Sequence, residues 1–386
     1  MRKVTSWKRL ARQNRVTASG GTLQPKDIAN LYGLDAFYQR SLYGQGQSIA
    51  FVEFAGPNAP DDARFWTAYS VAPGLNRPVS AVSIDRAPSD PAALDETDLD
   101  VQYAGALAPG ARLAAYVISD QSDLPDFLGQ MYDALTQIAA DGIRIVSISL
   151  GTGERAFVAA TDIRAPLAGR SWSDARAYGA DLDALIRDNG LLVFVAAGDS
   201  GAYAGLPFGD HTPQPSWPAT QPAVLAVGGT QLITPGTLGS GEQAWGGQCM
   251  DPLAPAYDPS NTLPQASGGG GLSTLFAAPV RQAGLGLGHR ATPDIAAFAG
   301  PLVIAEGAGE ITIWGTSASA PIAAAGAALL AQASGAVPTA EQLCTAARDV
   351  SSGNNWNNTL LLNGLSAYAS AGPGYDLCTG MGRLAL

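Results

Sequence analysis

The sequence is poor in charged residues, and in basic residues in particular. Aspartate, glutamate, lysine and arginine make up 14% of the 386 residues, against about 25% in an average globular protein. The 33 acidic residues outnumber the 22 basic ones, so the net charge is −11, which opposes binding to a phosphate backbone. We therefore expect no nucleic-acid partner. A hydrophobic fraction of 46% also excludes a typical disordered chain.

Cysteine and long apolar runs are also scarce. The three cysteines, Cys249, Cys344 and Cys378, lack CxxC spacing and do not by themselves predict a zinc site. A disulfide between the last two is left open. The most apolar run, 318–331, is interrupted by polar, proline and glycine residues and is shorter than the roughly 20 residues of a membrane span. We expect no membrane insertion.

The few basic residues are unevenly placed. Residues 1–15 contain six of them and no acid, but no apolar stretch follows that would complete a signal peptide. We predict that 1–22 form a disordered basic leader and that 23–386 form a single domain.

Short apolar runs alternate with helical patterns along that domain. Runs without polar alternation are typical of strands covered on both faces, and strand–helix alternation predicts an α/β fold with a doubly wound, mainly parallel sheet flanked by helices. A hairpin is predicted at 301–314, turning at 306–309. The predicted strands are 48–54, 112–119, 143–150, 191–197 and 223–227, and the predicted helices are 96–107, 125–140 and 174–188.

The segment 315–321, Gly-Thr-Ser-Ala-Ser-Ala-Pro, is the first candidate for chemistry. Pro321 suits the first turn of a helix, which places Ser317 at a helix N-terminus, where free amides favour a developing oxyanion. The simpler alternative is a Ser/Thr helix cap. The pattern G-T-S-x-[AS]-x-P resembles the nucleophile motif of the subtilisin clan of serine peptidases.

The base that would activate this serine is not a histidine. The chain has only His211 and His289, in GDHTPQ and LGHRAT, and neither matches the H-G-T-H setting of subtilisins. Glu96 and Asp100, in contrast, are spaced i,i+4 and share a helix face, where two carboxyl groups share protons. An acidic first helical turn is the alternative.

Glu96-x-x-x-Asp100, the following 104–110 (Ala-Gly-Ala-Leu-Ala-Pro-Gly) and the serine motif together are similar to the sedolisins, the serine-carboxyl peptidases. The resemblance spans about 23–382 and implies a subtilisin-like fold, a Ser-Glu-Asp triad and activity in acid. It makes Ser317 the nucleophile, Glu96 the general base and Asp100 the residue that orients Glu96.

Segment 191–201 resembles the strand and turn that carry the oxyanion-hole aspartate of this family, which is Asp199 here. An ionised carboxylate would repel an oxyanion, whereas a protonated one can donate a hydrogen bond to it. The alternative is an ordinary Asp-Ser-Gly turn.

Segments 348–355 and 371–376 resemble the sedolisin calcium site. The resemblance implies one structural Ca²⁺, and oxygen donors without histidine or thiolate suit this ion. Two turn motifs are the alternative. The implied ligands are the carboxylates of Asp349 and Asp376 and the backbone carbonyls of Val350, Gly372 and Gly374.

Further matches and departures concern the surroundings of the site. Glu53 matches a family acid that extends the carboxylate network; a strand-end charge is the alternative. The glycines of 226–230 and 267–270 are expected in loops and turns; the alternative is that they let a substrate backbone approach as an added strand. Leu150 stands where the family often has tryptophan, and Trp314 where a smaller residue is usual.

The resemblance also implies polypeptide substrates, secretion, and a long propeptide that 1–22 are too short to supply, so we expect it to be removed or separately encoded. We expect a monomer. Two alternatives remain: a catalytically impaired binding or scaffold protein, and a carboxylate-dyad glycosidase, which leaves the 315–321 motif unexplained.

Overall fold

The computed structural model describes residues 22–87, 89–120, 123–246, 266–357, 359–360 and 363–386. The predicted leader therefore lies outside the described residues except for Thr22, and so does Cys249. The described chain enters the fold at Leu23, which is buried and forms a β-bridge with Leu302.

Nine helices and sixteen strands are used below. The helices are α1 Pro25–Leu31, α2 Asp35–Tyr38, α3 Ala59–Tyr69, α4 Leu94–Leu107, α5 Leu124–Ala140, α6 Glu154–Val158, α7 Ala175–Asp188, α8 Thr316–Ser334 and α9 Ala340–Ala346. The strands are β1 Ser48–Glu53, β2 Ser80–Ser83, β3 Arg112–Val117, β4 Ile145–Ile148, β5 Thr152–Gly153, β6 Thr161–Ala165, β7 Arg170–Asp174, β8 Leu192–Ala196, β9 Ser216–Trp217, β10 Leu225–Leu232, β11 Glu242–Ala244, β12 Gly271–Ala277, β13 His289–Thr292, β14 Ile295–Phe298, β15 Leu302–Glu306 and β16 Gly309–Ile313.

A central sheet has the order β11-β10-β8-β4-β1-β3-β2, and β14 also pairs with β10. Every pairing in it is parallel except that between β10 and the edge strand β11. The predicted mainly parallel sheet is confirmed. The predicted hairpin is β15–β16, in which Glu306 pairs with Gly309.

The sheet is covered on both faces, as its uninterrupted apolar strands require. In β1, Ile49 and Phe51 belong to one hydrophobic core, whereas Ala50 and Val52 belong to another. The first core includes residues of α1, α4 and α8, and the second includes residues of α5 and α7. This is the doubly wound arrangement predicted from the sequence.

Helix starts follow local chemistry. The side chain of Asp123 accepts a hydrogen bond from the amide of Asp126 at the start of α5, and Asp174 accepts one from Ala177 at the start of α7. Such caps satisfy amides that have no partner within the helix. They explain why both helices begin within a residue of their predicted positions.

Helix α8 runs through the centre of the first core. It is alanine-rich and almost wholly buried, and it packs against α4, β8 and β14. It has 19 residues. No helix in the described part of the chain, α8 included, is both long and apolar enough to cross a membrane.

One expectation was wrong. Gly228 and Gly229 were placed in a loop, but both lie inside β10. A Cβ atom at Gly228 would come within 2.7 Å of Pro293 and 2.8 Å of the Cys378 carbonyl oxygen, and one at Gly229 within 2.9 Å of Trp245 and Ala299. These glycines therefore serve close packing against the sheet rather than a turn.

A buried cluster of ion pairs and hydrogen bonds around Asp294 joins β10, β13 and the start of β14. Asp294 accepts hydrogen bonds from Arg281 (2.8 Å) and Arg290 (2.5 Å), and from the amide of Ala226 (2.8 Å). Burial alone would raise the pKa of Asp294, but the two guanidinium groups outweigh it and hold the pKa below its ordinary value. The two ion pairs therefore favour the ionised form of this carboxyl group.

We predict that Asp294→Asn lowers the free energy of unfolding by about 3–5 kcal/mol, because two buried guanidinium groups lose their counter-charge. Equilibrium denaturant unfolding measures this change. The control is Asp162→Asn, which removes an ion pair whose side chains are 65% and 70% exposed and should cost less than about 1 kcal/mol. Equal effects of the two substitutions would contradict the prediction.

Candidate active site

Ser317 is the second residue of α8 and is 2% exposed. Its hydroxyl oxygen is buried and has no hydrogen-bond partner among the described residues. The helix N-terminus presents free amides and the positive end of the helix dipole. The structure therefore places this hydroxyl where a reacting carbonyl oxygen could be stabilised.

The glycine before the helix is required by its surroundings. Gly315 has a φ of +153°, which side chains rarely allow, and a Cβ atom there would lie 2.8 Å from Oδ2 of Asp199 and 3.7 Å from the amide of Ser317. The missing side chain leaves a space that faces both groups.

Asp199 follows β8 and is tied to the start of α8. Its Oδ1 accepts hydrogen bonds from the amide and the hydroxyl of Thr316, each at 2.8 Å, and the Thr316 hydroxyl in turn accepts one from the amide of Gly198 at 2.9 Å. Oδ1 is thus held by two donors, and Oδ2 is the oxygen next to the Gly315 space. The predicted oxyanion residue, Asp199, therefore lies at the start of the helix that carries the predicted nucleophile, Ser317.

Burial raises the pKa of Asp199 to about 6, although the hydrogen bonds from Thr316 oppose this rise. Asp199 is 2% exposed. Its side chain is therefore mostly neutral below pH 6 and able to donate a hydrogen bond from Oδ2.

The two predicted triad carboxyl groups lie on α4, which packs directly against α8. Glu96 is 3% exposed and Asp100 is fully buried. Ser149, just after β4, donates to Oδ2 (2.9 Å) and Oδ1 (3.1 Å) of Asp100 and lies 3.3 Å from the Ser317 carbonyl oxygen. The Ser149 hydroxyl thus joins α4 to α8.

Burial raises the pKa of Asp100 well above its usual range, and the charges of Glu53 and Glu96 add to this, while the hydrogen bond from Ser149 lowers it. Glu53 is fully buried at the end of β1. Of the two interpretations of Glu53, the structure supports membership of the carboxylate network.

Ser149 and Thr316 are site residues that sequence reasoning missed. Thr316 lies within the recognised serine motif, and Ser149 lies beside Leu150, so both stood in segments already singled out. Leu150 itself is buried in the second core. His211 and His289 are both exposed.

The implied calcium ligands lie in neighbouring loops. Asp376 accepts hydrogen bonds from the amides of Gly372, Cys378 and Thr379, and Asp349 accepts one from the amide of Gly374. Both carboxylates therefore contact the 372–376 loop, which contains Gly372 and Gly374, two of the three implied carbonyl donors. Cys344 and Cys378 are buried free thiols and form no disulfide with each other.

A second acidic cluster occupies the interface of α3 and α4. Burial raises the pKa of both Asp62 and Asp98 to about 8, and the charge of Asp61 adds to each. Both side chains are 1% exposed. Sequence reasoning did not identify this pair because the two residues are 36 positions apart.

We predict that the protein becomes less stable as the pH rises from about 4 to 8. A carboxyl group with a folded-state pKa of about 8 and an unfolded value of about 3.9 stabilises the fold fully below pH 4, and loses that contribution as the pH passes 8. Asp98→Asn should therefore raise the free energy of unfolding at pH 7 by about 2 kcal/mol relative to the wild type, with little change at pH 4.

Thermal and denaturant unfolding at both pH values test this prediction. Asp35→Asn, at an exposed position, is the matched control and should change the free energy of unfolding by the same amount at both pH values. A loss of stability in Asp98→Asn that is equal at pH 4 and pH 7 would contradict it.

Comparison with known proteins agrees with this geometry. The model of the subtilase family matches residues 92–359, more than half of the chain, and the chain belongs to this family. Kumamolisin from Bacillus sp. (strain MN-32) is 33% identical over 388 residues, which cover 93% of this chain and 61% of kumamolisin. Xanthomonalisin from Xanthomonas sp. (strain T-22) is 32% identical over 185 residues, 43% of this chain and 21% of that protein.

Among solved structures, Pseudomonas sedolisin, a serine-carboxyl proteinase complexed with two molecules of pseudo-iodotyrostatin, superposes with a TM-score of 0.71 at 24% identity, covering 95% of this chain and 96% of that one. The MycP3 protease of the type VII (ESX-3) secretion system superposes with a TM-score of 0.52 at 16% identity, covering 100% of this chain and 91% of that one. The predicted sedolisin relationship and subtilisin-like fold are thus confirmed. The chain spans about three fifths of the length of kumamolisin.

Proposed function

We propose that this protein is a serine-carboxyl endopeptidase that hydrolyses peptide bonds in acid through Ser317, Glu96 and Asp100. The observation that carries the proposal is the convergence at the start of α8. There the unpartnered Ser317 hydroxyl, the Asp199 carboxyl group and, through Ser149, the Asp100 carboxyl group meet. Both histidines are exposed while these groups are buried.

Glu96 is the general base in this proposal. It takes the proton of Ser317 as the alkoxide attacks the substrate carbonyl carbon, and it returns that proton to the leaving amine. Asp100, one turn further along α4, holds a proton that it shares with Glu96. Water then hydrolyses the acyl-enzyme by the reverse sequence of proton transfers.

Asp199 stabilises the tetrahedral intermediate. Because Oδ1 already accepts two hydrogen bonds from Thr316, the proton of the neutral carboxyl group belongs on Oδ2. That oxygen faces the space left by Gly315, together with the Ser317 amide. An oxyanion in this space would receive one hydrogen bond from each.

The substrates in this proposal are polypeptides, and the place of action is outside the cell. Both follow from the resemblance to the sedolisins. A catalytically impaired protein that binds polypeptides is the second candidate, favoured by Leu150 in place of the usual tryptophan.

We predict hydrolysis of denatured protein at pH 4, falling as the pH rises through about 6, since Asp199 then ionises and repels the oxyanion. Ser317→Ala and Glu96→Gln should each lower kcat by a factor of about 10³ or more. Asp98→Asn is the control on the same helix and should change kcat at pH 4 less than about threefold, because Asp98 is already neutral there.

The release of labelled peptides from denatured casein, followed from pH 3 to 8, measures these effects. A rate maximum above pH 7 would overturn the acid mechanism. Folded protein that binds polypeptide but shows no Ser317-dependent turnover would favour the second candidate.

We further propose that the loops carrying Asp349 and Asp376 hold one structural Ca²⁺. The donor set fits this ion because it consists of two carboxylates and the carbonyl oxygens of Val350, Gly372 and Gly374, all hard oxygen ligands. The ion would fix the last loops of the chain against the core, near β14, where Ala296 pairs with Arg383.

Removal of calcium should therefore destabilise the protein. We predict that excess EGTA lowers the melting temperature at pH 6, and that Asp349→Asn lowers it in calcium and removes the response to EGTA. Differential scanning calorimetry measures both. The control, Asp141→Asn, should keep the full response to EGTA. An identical melting temperature with and without chelator would reject the site.

A further inference from the structure

The hydroxyl of Ser149 has a position that the proposed triad does not account for. It is fully buried and lies within hydrogen-bonding distance of three acceptors: both carboxylate oxygens of Asp100 (2.9 and 3.1 Å) and the carbonyl oxygen of Ser317 (3.3 Å). A hydroxyl group has a single proton to donate. It can therefore donate a full hydrogen bond either to the Asp100 carboxylate or to the Ser317 carbonyl, but not to both at once.

The carbonyl of Ser317 needs this donor because of the motif that follows it. In an α-helix that carbonyl would accept from the amide of residue 321, but residue 321 is proline, inside α8, and carries no amide hydrogen. The residue that supplies the nucleophile thus has a backbone acceptor without its ordinary helical donor. Ser149 occupies the position of that missing donor.

The other acceptor changes with pH. The titratable groups that act on Asp100 in the described structure are Glu53 from β1 and Glu96 from α4, both acidic, and Ser149 supplies a hydrogen bond that favours the ionised form. From α8, the neighbouring residue is the uncharged Ser317. An ionised Asp100 competes strongly for the Ser149 proton, since hydrogen bonds to charged groups are the stronger ones; a protonated Asp100 does not.

We propose that Ser149 is a positioning residue of the catalytic site, which donates to Asp100 when that carboxyl group is ionised and to the Ser317 carbonyl when it is protonated. This inference rests on the proposed triad. The proton of Asp100 then moves along the acidic network toward Glu96 or Glu53, and the proton of Ser149 never leaves its oxygen. The protonation state of the dyad is in this way linked to the first turn of α8, which carries the nucleophile.

The test compares Ser149→Ala with Ser147→Ala. Both remove one hydroxyl from a fully buried serine of the same segment, but the Ser147 hydroxyl has no hydrogen-bond partner in the described structure. A hydrogen bond to a charged group is strong enough to move a pKa by about 1–2 units. In Ser149→Ala the pKa of Asp100 should therefore rise by about one unit, with kcat lowered about tenfold and KM unchanged.

Ser147→Ala should leave both kcat and the Asp100 pKa as they are in the wild type. Ser149→Thr, which keeps the hydroxyl, should restore both even if its extra methyl group lowers the melting temperature. An unchanged Asp100 pKa in Ser149→Ala would overturn the inference, whatever the loss of stability.

A second measurement does not depend on turnover. In Ser317→Ala protein labelled with ¹³C at aspartate carboxyl groups, the Asp100 signal is assigned by its absence from Asp100→Asn. Its titration midpoint should rise by about one pH unit in Ser149→Ala and stay constant in Ser147→Ala. If the wild type shows no Ser317-dependent hydrolysis, the proposed function fails, and this titration still decides the role of Ser149.

Discussion

The structure depends on the burial of acidic side chains along α4 and at the start of α8. Asp100 and Asp199 are at most 2% exposed, and desolvation is the largest influence on the pKa of each. Taking a carboxylate out of water is costly, so such groups become neutral instead. The same cost that would destabilise an ordinary enzyme at pH 7 supplies shared protons and a neutral oxyanion donor at pH 4.

Small residues make this burial possible. Gly315 lets Asp199 approach the start of α8, and the alanines of α8 let α4 pack closely against it. Close packing excludes water, and it is the absence of water that raises the carboxyl pKa values. The composition of the helix core and the chemistry of the site are thus two consequences of one arrangement.

Asp294 shows the opposite solution to the same problem. It is equally buried, but two guanidinium groups hold its pKa below the ordinary value and so favour its ionised form. The fold therefore separates its carboxyl groups by environment: burial beside other acids raises the pKa of Asp100, whereas two arginines lower that of Asp294.

The sequence by itself predicted the sheet and its main helices, and it singled out Ser317, Glu96, Asp100 and Asp199 as candidate site residues. Apolar runs and the i,i+4 spacing of two acids are local signals, and the serine motif is contiguous. Only the tertiary structure decided that Glu53 joins the network, that Gly228 and Gly229 lie within a strand, and that Asp62 and Asp98 face each other. Ser149 is the clearest case, because its role depends on the proton it offers to two helices, one of which lacks an amide hydrogen at Pro321. Such contacts join residues up to 168 positions apart, and no local pattern records them.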